Sequence, residues 1–395
     1  MKKIDYQLGV GDIEVNEKAK EYILDILNTR RVTHGGVYSK RFEHEFAKLH
    51  SCKFAVMLNS GTSALRLALA TLAEHHHWNQ GDEVIVPAVT FVSTANVIIQ
   101  NGFKPVFADV ESDFYGIDPL KIEEKITSRT KAILPVHLFG MPCNMDPIMA
   151  IAKKHNLKVV EDSCETVAAN YKNRPAGSFG DISCFSTYSA HIIATGIGGL
   201  ALTNNHEYAV TLRSLANHGR DSIYINMDDD KTDDKEKLFE IVAKRFRFIR
   251  LGYSFRATEF EAALGLAQLE NIALILEKRR KNAAWLTEHL KKFTALQLPS
   301  IRNHAEHSFM VYPIVVNGIN KRDLVNFLEE HNIETRDMLP LINQPLYIKL
   351  FGNIEEKYPI AKMINQNGFY IGCHQNLKPE ELQYIAKVFE EFFTK

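Results

Sequence analysis

Between residue 54 and about residue 205, short runs of β-branched and aliphatic residues alternate with longer stretches in which apolar side chains recur at helical spacing. FAVMLNS is followed by TSALRLALATLAEHHH, EVIVPAV by STANVIIQNG, and KAILPVHLFG by PIMAIAKKHN. KPVFADV, KVVEDSC, ISCFSTYS and GLALTNN complete the set of expected strands. Strand and helix periods alternating in this way predict an α/β domain built on a mostly parallel sheet. Ligands of such sheets gather beyond the carboxyl ends of the strands. Residues 60–63, 87–91, 161–165 and 186–191 each follow directly from an expected strand, so they converge on one candidate site.

After residue 205 the pattern changes. NMDDDKTDDKEK, at residues 226–237, is acidic, has no apolar period and reads as a surface loop. Residues 258–292 then show one long helical pattern, which suits a connector into a smaller C-terminal α+β domain. That domain would contain FMVYPIVV, DLVNFLEEH, IETRDMLP and the amphipathic PEELQYIAKVFEEFF. The expected division is a large domain at 1–258 and a small one at 259–395, in line with a chain of 395 residues and about 150 residues per domain.

A formal net charge of -1 gives no basic field for nucleic acid or an anionic membrane, so the expected partner is a small molecule or another subunit. No stretch of about 18 apolar residues occurs and the start lacks a signal-like core, which predicts a cytoplasmic protein. The five cysteines lie far apart without metal-ligand spacing, and are expected to be buried or partly buried thiols with no metal site. His75, His76 and His77 read as a solvated helix end.

NSGTSAL places a glycine and small hydroxyls between a strand and a helix, an arrangement that presents backbone amides to a phosphate; a simple helix cap explains the same residues. Asp162, at the end of the apolar strand VVED, could keep a ring nitrogen protonated or serve as a buried cap. Phe91 could stack on a flat ring or belong to the core.

Taken in order, SGTSAL, PAVTFVSTANVI, VVEDSCE, GDISCFSTYSAH, GIGG and LGYSFRATEFEAALGLAQLE resemble the DegT/DnrJ/EryC1/StrS family of nucleotide-sugar aminotransferases across nearly the whole chain. The resemblance implies a fold-type I pyridoxal phosphate (PLP) enzyme, an aspartate aminotransferase-like three-layer sandwich. It also implies a homodimer with active sites shared between subunits. By the same resemblance Gly61, Thr62 and Ser186 would hold the cofactor phosphate, Phe91 would stack on its ring, and Asp162 would meet the pyridine nitrogen. Glu165 stands where the family usually carries Gln or His near the phenolic oxygen. Ser254 stands where an Asn reaches the partner's cofactor phosphate, and Ile197 interrupts the usual GEGG.

The largest departure is His191, at the position of the cofactor-binding lysine. An imidazole has no primary amine and forms no stable Schiff base, so PLP or pyridoxamine phosphate (PMP) would bind noncovalently. With GCHQ at residues 372–375, this residue resembles the branch of sugar 3-dehydratases that make 3-deoxysugars, in particular those acting on a GDP-4-keto-6-deoxymannose. The dispersed cysteines argue against the iron-sulfur version found in CDP-sugar relatives. The expected reaction is C3 deoxygenation of a nucleotide-linked 4-keto-6-deoxyhexose, with L-glutamate regenerating PMP and His191 as the base. Arg336, His218, Arg220 and His374 would contact substrate or glutamate. Two alternatives remain: an aminotransferase that manages without the lysine, and a catalytically silent paralogue that binds PLP or a nucleotide sugar.

Overall fold

A computed structural model describes residues 4–221, 234–244 and 246–394. The strands are β1 (Phe54–Leu58), β2 (Glu83–Pro87), β3 (Lys104–Ala108), β4 (Thr130–Ile133), β5 (Lys158–Asp162), β6 (Asn170–Tyr171), β7 (Arg174–Pro175), β8 (Ile182–Ser186), β9 (Gly199–Thr203), β10 (Leu296–Gln297), β11 (Tyr312–Val316), β12 (Thr335–Asp337) and β13 (Gly368–Ile371). The helices are α1 (Glu17–Thr29), α2 (Val37–Leu49), α3 (Gly61–His76), α4 (Val92–Gln100), α5 (Met145–Lys154), α6 (His206–Ala216), α7 (Lys235–Lys244), α8 (Glu259–Leu269), α9 (Ile272–Leu290), α10 (Lys321–Glu330), α11 (Pro345–Phe351), α12 (Pro359–Asn367) and α13 (Pro379–Thr394).

Seven strands form the main sheet in the order β1-β9-β8-β5-β4-β2-β3. The pairings from β3 through β8 are parallel, whereas β9 runs antiparallel to both β8 and β1. Successive side chains enter opposite cores: Val84, Val86 and Val160 pack with α3 and its neighbours, while Ile85, Ile133 and Val159 pack with Ile148 and Ala152 of α5. Both faces of the sheet are thus covered, which is why its strands read as apolar runs and not as an alternation. This is the three-layer α/β sandwich expected for fold-type I.

A second, antiparallel sheet of order β10-β11-β13-β12 lies in the C-terminal part. Tyr312, Ile314, Val316, Phe369 and Ile371 pack one face against α9, α10 and α13. Val311 and Val315 point the other way and join the large core. The two sheets therefore meet through a common apolar layer.

Three local expectations change. The helical run at 258–292 breaks at Asn271 into α8 and α9. Glu270 is tied to Tyr22 (3.0 Å), Arg41 (3.2 Å) and Lys18 (2.6 Å), which holds the end of α8 on α1 and α2 while α9 departs toward the second sheet. Residues 226–233 of the acidic run lie outside the described residues, and its end opens α7 instead of continuing as loop. His75 and His76 are more than a solvated terminus, since their rings bond Thr211 (2.9 Å) and Tyr208 (2.6 Å) of α6. The thiols are free, with Cys143, Cys184 and Cys373 buried and Cys52 and Cys164 half-buried. No helix among the described residues is long and apolar enough to cross a membrane.

Candidate active site

Asp162 closes β5 and is buried. Its Oδ2 accepts from Thr94 Oγ1 at 2.9 Å and its Oδ1 from the Cys164 amide at 3.1 Å. Burial nevertheless pushes its carboxyl above the ordinary range, against the pull of Cys164, Thr94 and His137. Burial is the larger effect, so a further positive charge brought against this carboxyl would favour its ionised form. A protonated ring nitrogen is a group that fits this position.

Beside it, α3 begins at Gly61, and Ser60 caps the helix by accepting from the Ser63 amide. A Cβ on Gly61 would stand 2.7 Å from Cys164 Sγ and 2.8 Å from Ser186 Cβ. Only glycine leaves the helix start, the end of β8 and the loop after β5 in such close contact. The exposed Thr62 and the buried Ser186 hydroxyl flank this amide-rich corner, a geometry suited to a phosphate. Phe91 is the N-cap residue of α4 and is 55% exposed, which leaves its ring free to cover a planar ligand.

His191 sits in the loop between β8 and β9. The loop is fastened internally by Thr187 and Thr195, whose hydroxyls lie 2.7 Å apart, and by the Thr195 amide on the Thr187 carbonyl at 2.8 Å. Gln268 of α8 adds a two-way clamp, accepting from the Ala194 amide (2.9 Å) and donating to the Ala194 carbonyl (2.7 Å). Ala190 is pressed against Gly11, where a Cβ would come within 2.7 Å of its Cα. The His191 ring is half-buried; Nδ1 lies 3.4 Å from Met310 Sδ, and the Tyr188 ring stands edge-on at 6.3 Å. Burial, with help from the Arg279 charge, pushes the imidazole down to about 4, so the ring is neutral at pH 7.

Glu165 is buried and accepts from the Phe139 amide at 2.8 Å. Burial and the nearby Asp162 push its carboxyl up to about 7. Tyr370 of β13 packs its ring 5.7 Å from Phe139 and pairs in register with Arg336 of β12. Arg336 is exposed, bound to Glu334 and to the Thr335 carbonyl. His374 is buried beyond β13, pushed down to about 4 by burial and by Arg279, with its carbonyl held by Asn282 at 2.8 Å.

Ser254, His218 and Arg220 form a separate group. Asn217 bridges Ser254, and Arg256 reaches both the Ser254 hydroxyl (3.1 Å) and His218 Nε2 (3.3 Å). Arg220 stacks over Phe246 and Phe248. Ser254 and His218 are exposed, and among the described residues no hydrogen bond joins them to Asp162 or His191.

Residues 14–390 match the DegT/DnrJ/EryC1/StrS aminotransferase family. The chain belongs to that family. Among family members, it is 34% identical to the dTDP-4-dehydro-2,6-dideoxy-D-glucose 3-dehydratase of Saccharopolyspora spinosa, over 92% of this chain and 82% of the relative. It is 30% identical to the GDP-perosamine synthase of Caulobacter vibrioides, over 98% of each. The E. coli GDP-4-keto-6-deoxy-D-mannose-3-dehydratase, solved with bound hydrated PLP, superposes with a TM-score of 0.86 at 29% identity, covering 98% of this chain and 100% of that one.

Against this family background, the candidate site includes residues that the sequence reading did not single out. Thr94 lies in the first turn of α4, second in STANVI, and its polarity in an apolar helix is the available signal. Met310 and Tyr370 arrive from the second sheet, and nothing local marks them. His137 and Glu161, 2.9 Å apart and wholly buried, support the floor of the site. The Cys143 amide lies on His137 Nδ1 and Glu161 on Nε2, and against burial the Cys143 and Glu161 side chains push the imidazole up to about 10. Glu161 also gathers the amides of Gly177, Phe179 and Gly180.

Proposed function

We propose that this protein is a PLP/PMP-dependent 3-dehydratase of a nucleotide-linked 4-keto-6-deoxyhexose, with L-glutamate as the amino donor that regenerates PMP. The observation that carries the reading is His191, a neutral imidazole in the clamped loop beside Asp162, Ser186 and Gly61. Family relatives on both sides of the chemistry, a 3-dehydratase and a perosamine synthase, match at comparable identity, so the reading rests on this residue.

When bound, the cofactor supplies an electron sink for carbanion chemistry at its C4′ carbon. Gly61 and Ser186 would hold its phosphate, Phe91 would cover its ring, and Asp162 would keep a proton on the ring nitrogen. Glu165, pushed up to about 7, is able to share a proton with the phenolic oxygen. His191 would serve as the base for the C4′ proton and as the acid for the departing C3 hydroxyl, which would leave as water. A shorter and stiffer side chain than lysine, it would reach the sugar carbon less readily, which would favour elimination over reprotonation there.

Ser254, His218, Arg220 and Arg256 serve the site of a second subunit in this reading. Ser254 and His218 are exposed and Arg256 bonds both, which offers a cation outward for an anion. Arg336 would meet a carboxylate or the sugar nucleotide after releasing Glu334, and His374 would act from behind the site.

The test is mass spectrometry of products formed from GDP-, CDP-, UDP- and dTDP-linked 4-keto-6-deoxyhexoses with PLP and L-glutamate, with ammonia assayed in parallel. A product lacking one oxygen, formed with ammonia, supports dehydration and names the nucleotide. An aminated sugar would return the chain to the aminotransferases.

A further inference from the structure

Arg279, on α9, is the largest side chain in the protein with no solvent exposure. Its Nη1 donates to the carbonyls of Phe309 (3.2 Å) and Met310 (2.8 Å), and no carboxylate meets it among the described residues. Nε and Nη2 are buried without a protein hydrogen-bond partner. A desolvated cation without a counter-ion is costly, and its own pKa is pushed down to about 10 by burial. Its sequence neighbours, in EKRRKN, give no hint of this, because they read as a solvated helix face.

The carbonyls it holds lead directly to the candidate base. Met310 sends its thioether to His191 Nδ1 at 3.4 Å. Cys373 donates from the other side to the Phe309 carbonyl at 3.4 Å, so Arg279 and Cys373 share one acceptor and brace the segment. Thioether sulfur accepts hydrogen bonds and donates none. The contact therefore requires Nδ1–H, and the lone pair resides on Nε2.

We propose that Arg279 is a positioning residue for His191: by holding the Phe309 and Met310 carbonyls it seats the Met310 thioether on Nδ1, selecting the tautomer whose basic nitrogen is Nε2. The inference rests on the reading of His191 as the base. Electrostatics act in the same direction, since a buried positive charge opposes a second one on the ring. Of the groups facing the imidazole, Tyr188 belongs to its own loop, the Met310 thioether carries no charge, and Arg279 is the cation that reaches it. His374 and Cys373, beyond β13, face the guanidinium instead.

The experiment is a pH titration of ¹⁵N-histidine-labelled protein without cofactor, followed by NMR, with His191 assigned by its loss in His191→Asn. The wild type is expected to show an Nδ1–H imidazole with a depressed midpoint. Arg279→Gln is expected to raise that midpoint by about one pH unit or more, and Arg279→Lys to restore most of the depression. Met310→Leu is expected to keep the low midpoint but lose the Nδ1–H preference. A wild-type ring in the Nε2–H form, or a folded Arg279→Gln with unchanged midpoint and tautomer, would overturn the proposal. If Arg279→Gln does not fold, Met310→Leu still decides: an unchanged tautomer there overturns it. None of these readouts needs turnover. An Nδ1–H ring responsive to Arg279 in a protein that makes no deoxysugar would refute the proposed function and leave this inference standing.

Discussion

Thr94 Oγ1 donates to Asp162 Oδ2 at 2.9 Å, and Thr90 Oγ1 lies 2.8 Å from Thr94 Oγ1. A file of hydroxyls on α4 and the turn before it thus ends on the carboxylate at the tip of β5. Replacing Thr94 with Val preserves the shape and removes the donor. The expected result is about tenfold weaker PLP binding by fluorescence titration, in keeping with about 1.5 kcal/mol for a hydrogen bond to a charged group. Unchanged affinity would mean that Asp162 is held sufficiently by the Cys164 amide.

His191→Lys restores a primary amine at the head of the clamped loop. Borohydride should then trap the cofactor covalently in the variant and not in the wild type, and the ratio of aminated to deoxygenated product should rise. Covalent trapping in the wild type would show that another lysine has taken the role, and the mechanism would fail.

Gly61→Ala drives a methyl group into Cys164 Sγ and Ser186 Cβ, neither of which lies at the end of a long flexible chain. A loss of about 1–3 kcal/mol in denaturant unfolding is expected, together with weakened binding of PLP. Weaker binding of pyridoxal, which lacks the phosphate, should be less affected by the substitution.

Acid should destabilise the protein between pH 6.5 and about 4. His50, His191 and His374 are pushed down to about 4 and His307 to about 3, in each case chiefly by burial. Across that window the unfolded chain binds protons that the folded chain refuses, so stability falls as pH falls; the wholly buried His50 alone accounts for about 3 kcal/mol. Glu111, Glu165 and Asp162 act in the opposite sense, because their folded carboxyls retain protons that the unfolded chain has lost, and so does His137, which Cys143 and Glu161 push up to about 10 against burial. The depressed histidines outweigh these groups, and chemical denaturation at pH 7, 5.5 and 4.5 measures the balance. Flat stability across this range would contradict it.

A dimer with shared sites makes a distinct prediction. Mixing inactive His191→Asn protein with inactive His218→Ala protein under subunit exchange would produce heterodimers with one intact site. About a quarter of wild-type activity should return if half the dimers are mixed. No recovery despite exchange would place both residues in one subunit's site.

The placement of Asp162, Ser186, Gly61 and His191 was legible because each follows an apolar run that reads as a strand of a sheet covered on both faces. Parallel strands deliver their carboxyl ends to one edge, so order along the chain became proximity in space. Met310, Tyr370 and Arg279 were not legible. They reach the site from the second sheet and from α9, through packing between elements more than a hundred residues apart in sequence in the case of His191 and Met310. Arg279 was also disguised by composition, since a run of charges on a helix gives no sign that one of them faces inward. The break at Asn271 was hidden for a related reason: helical period continues through it, and only the anchoring of Glu270 redirects the chain.

The reversed direction of β9 has a further consequence. Because β9 runs against β8, Ser186 and Gly199 pair across the ladder, and the twelve intervening positions leave the sheet and return to it at adjacent points. Such a loop is a cassette with its two feet bolted side by side. A substitution at position 191 can therefore leave the register of every strand unchanged, and in the proposed reading that one position is where the scaffold would turn from adding nitrogen to removing oxygen.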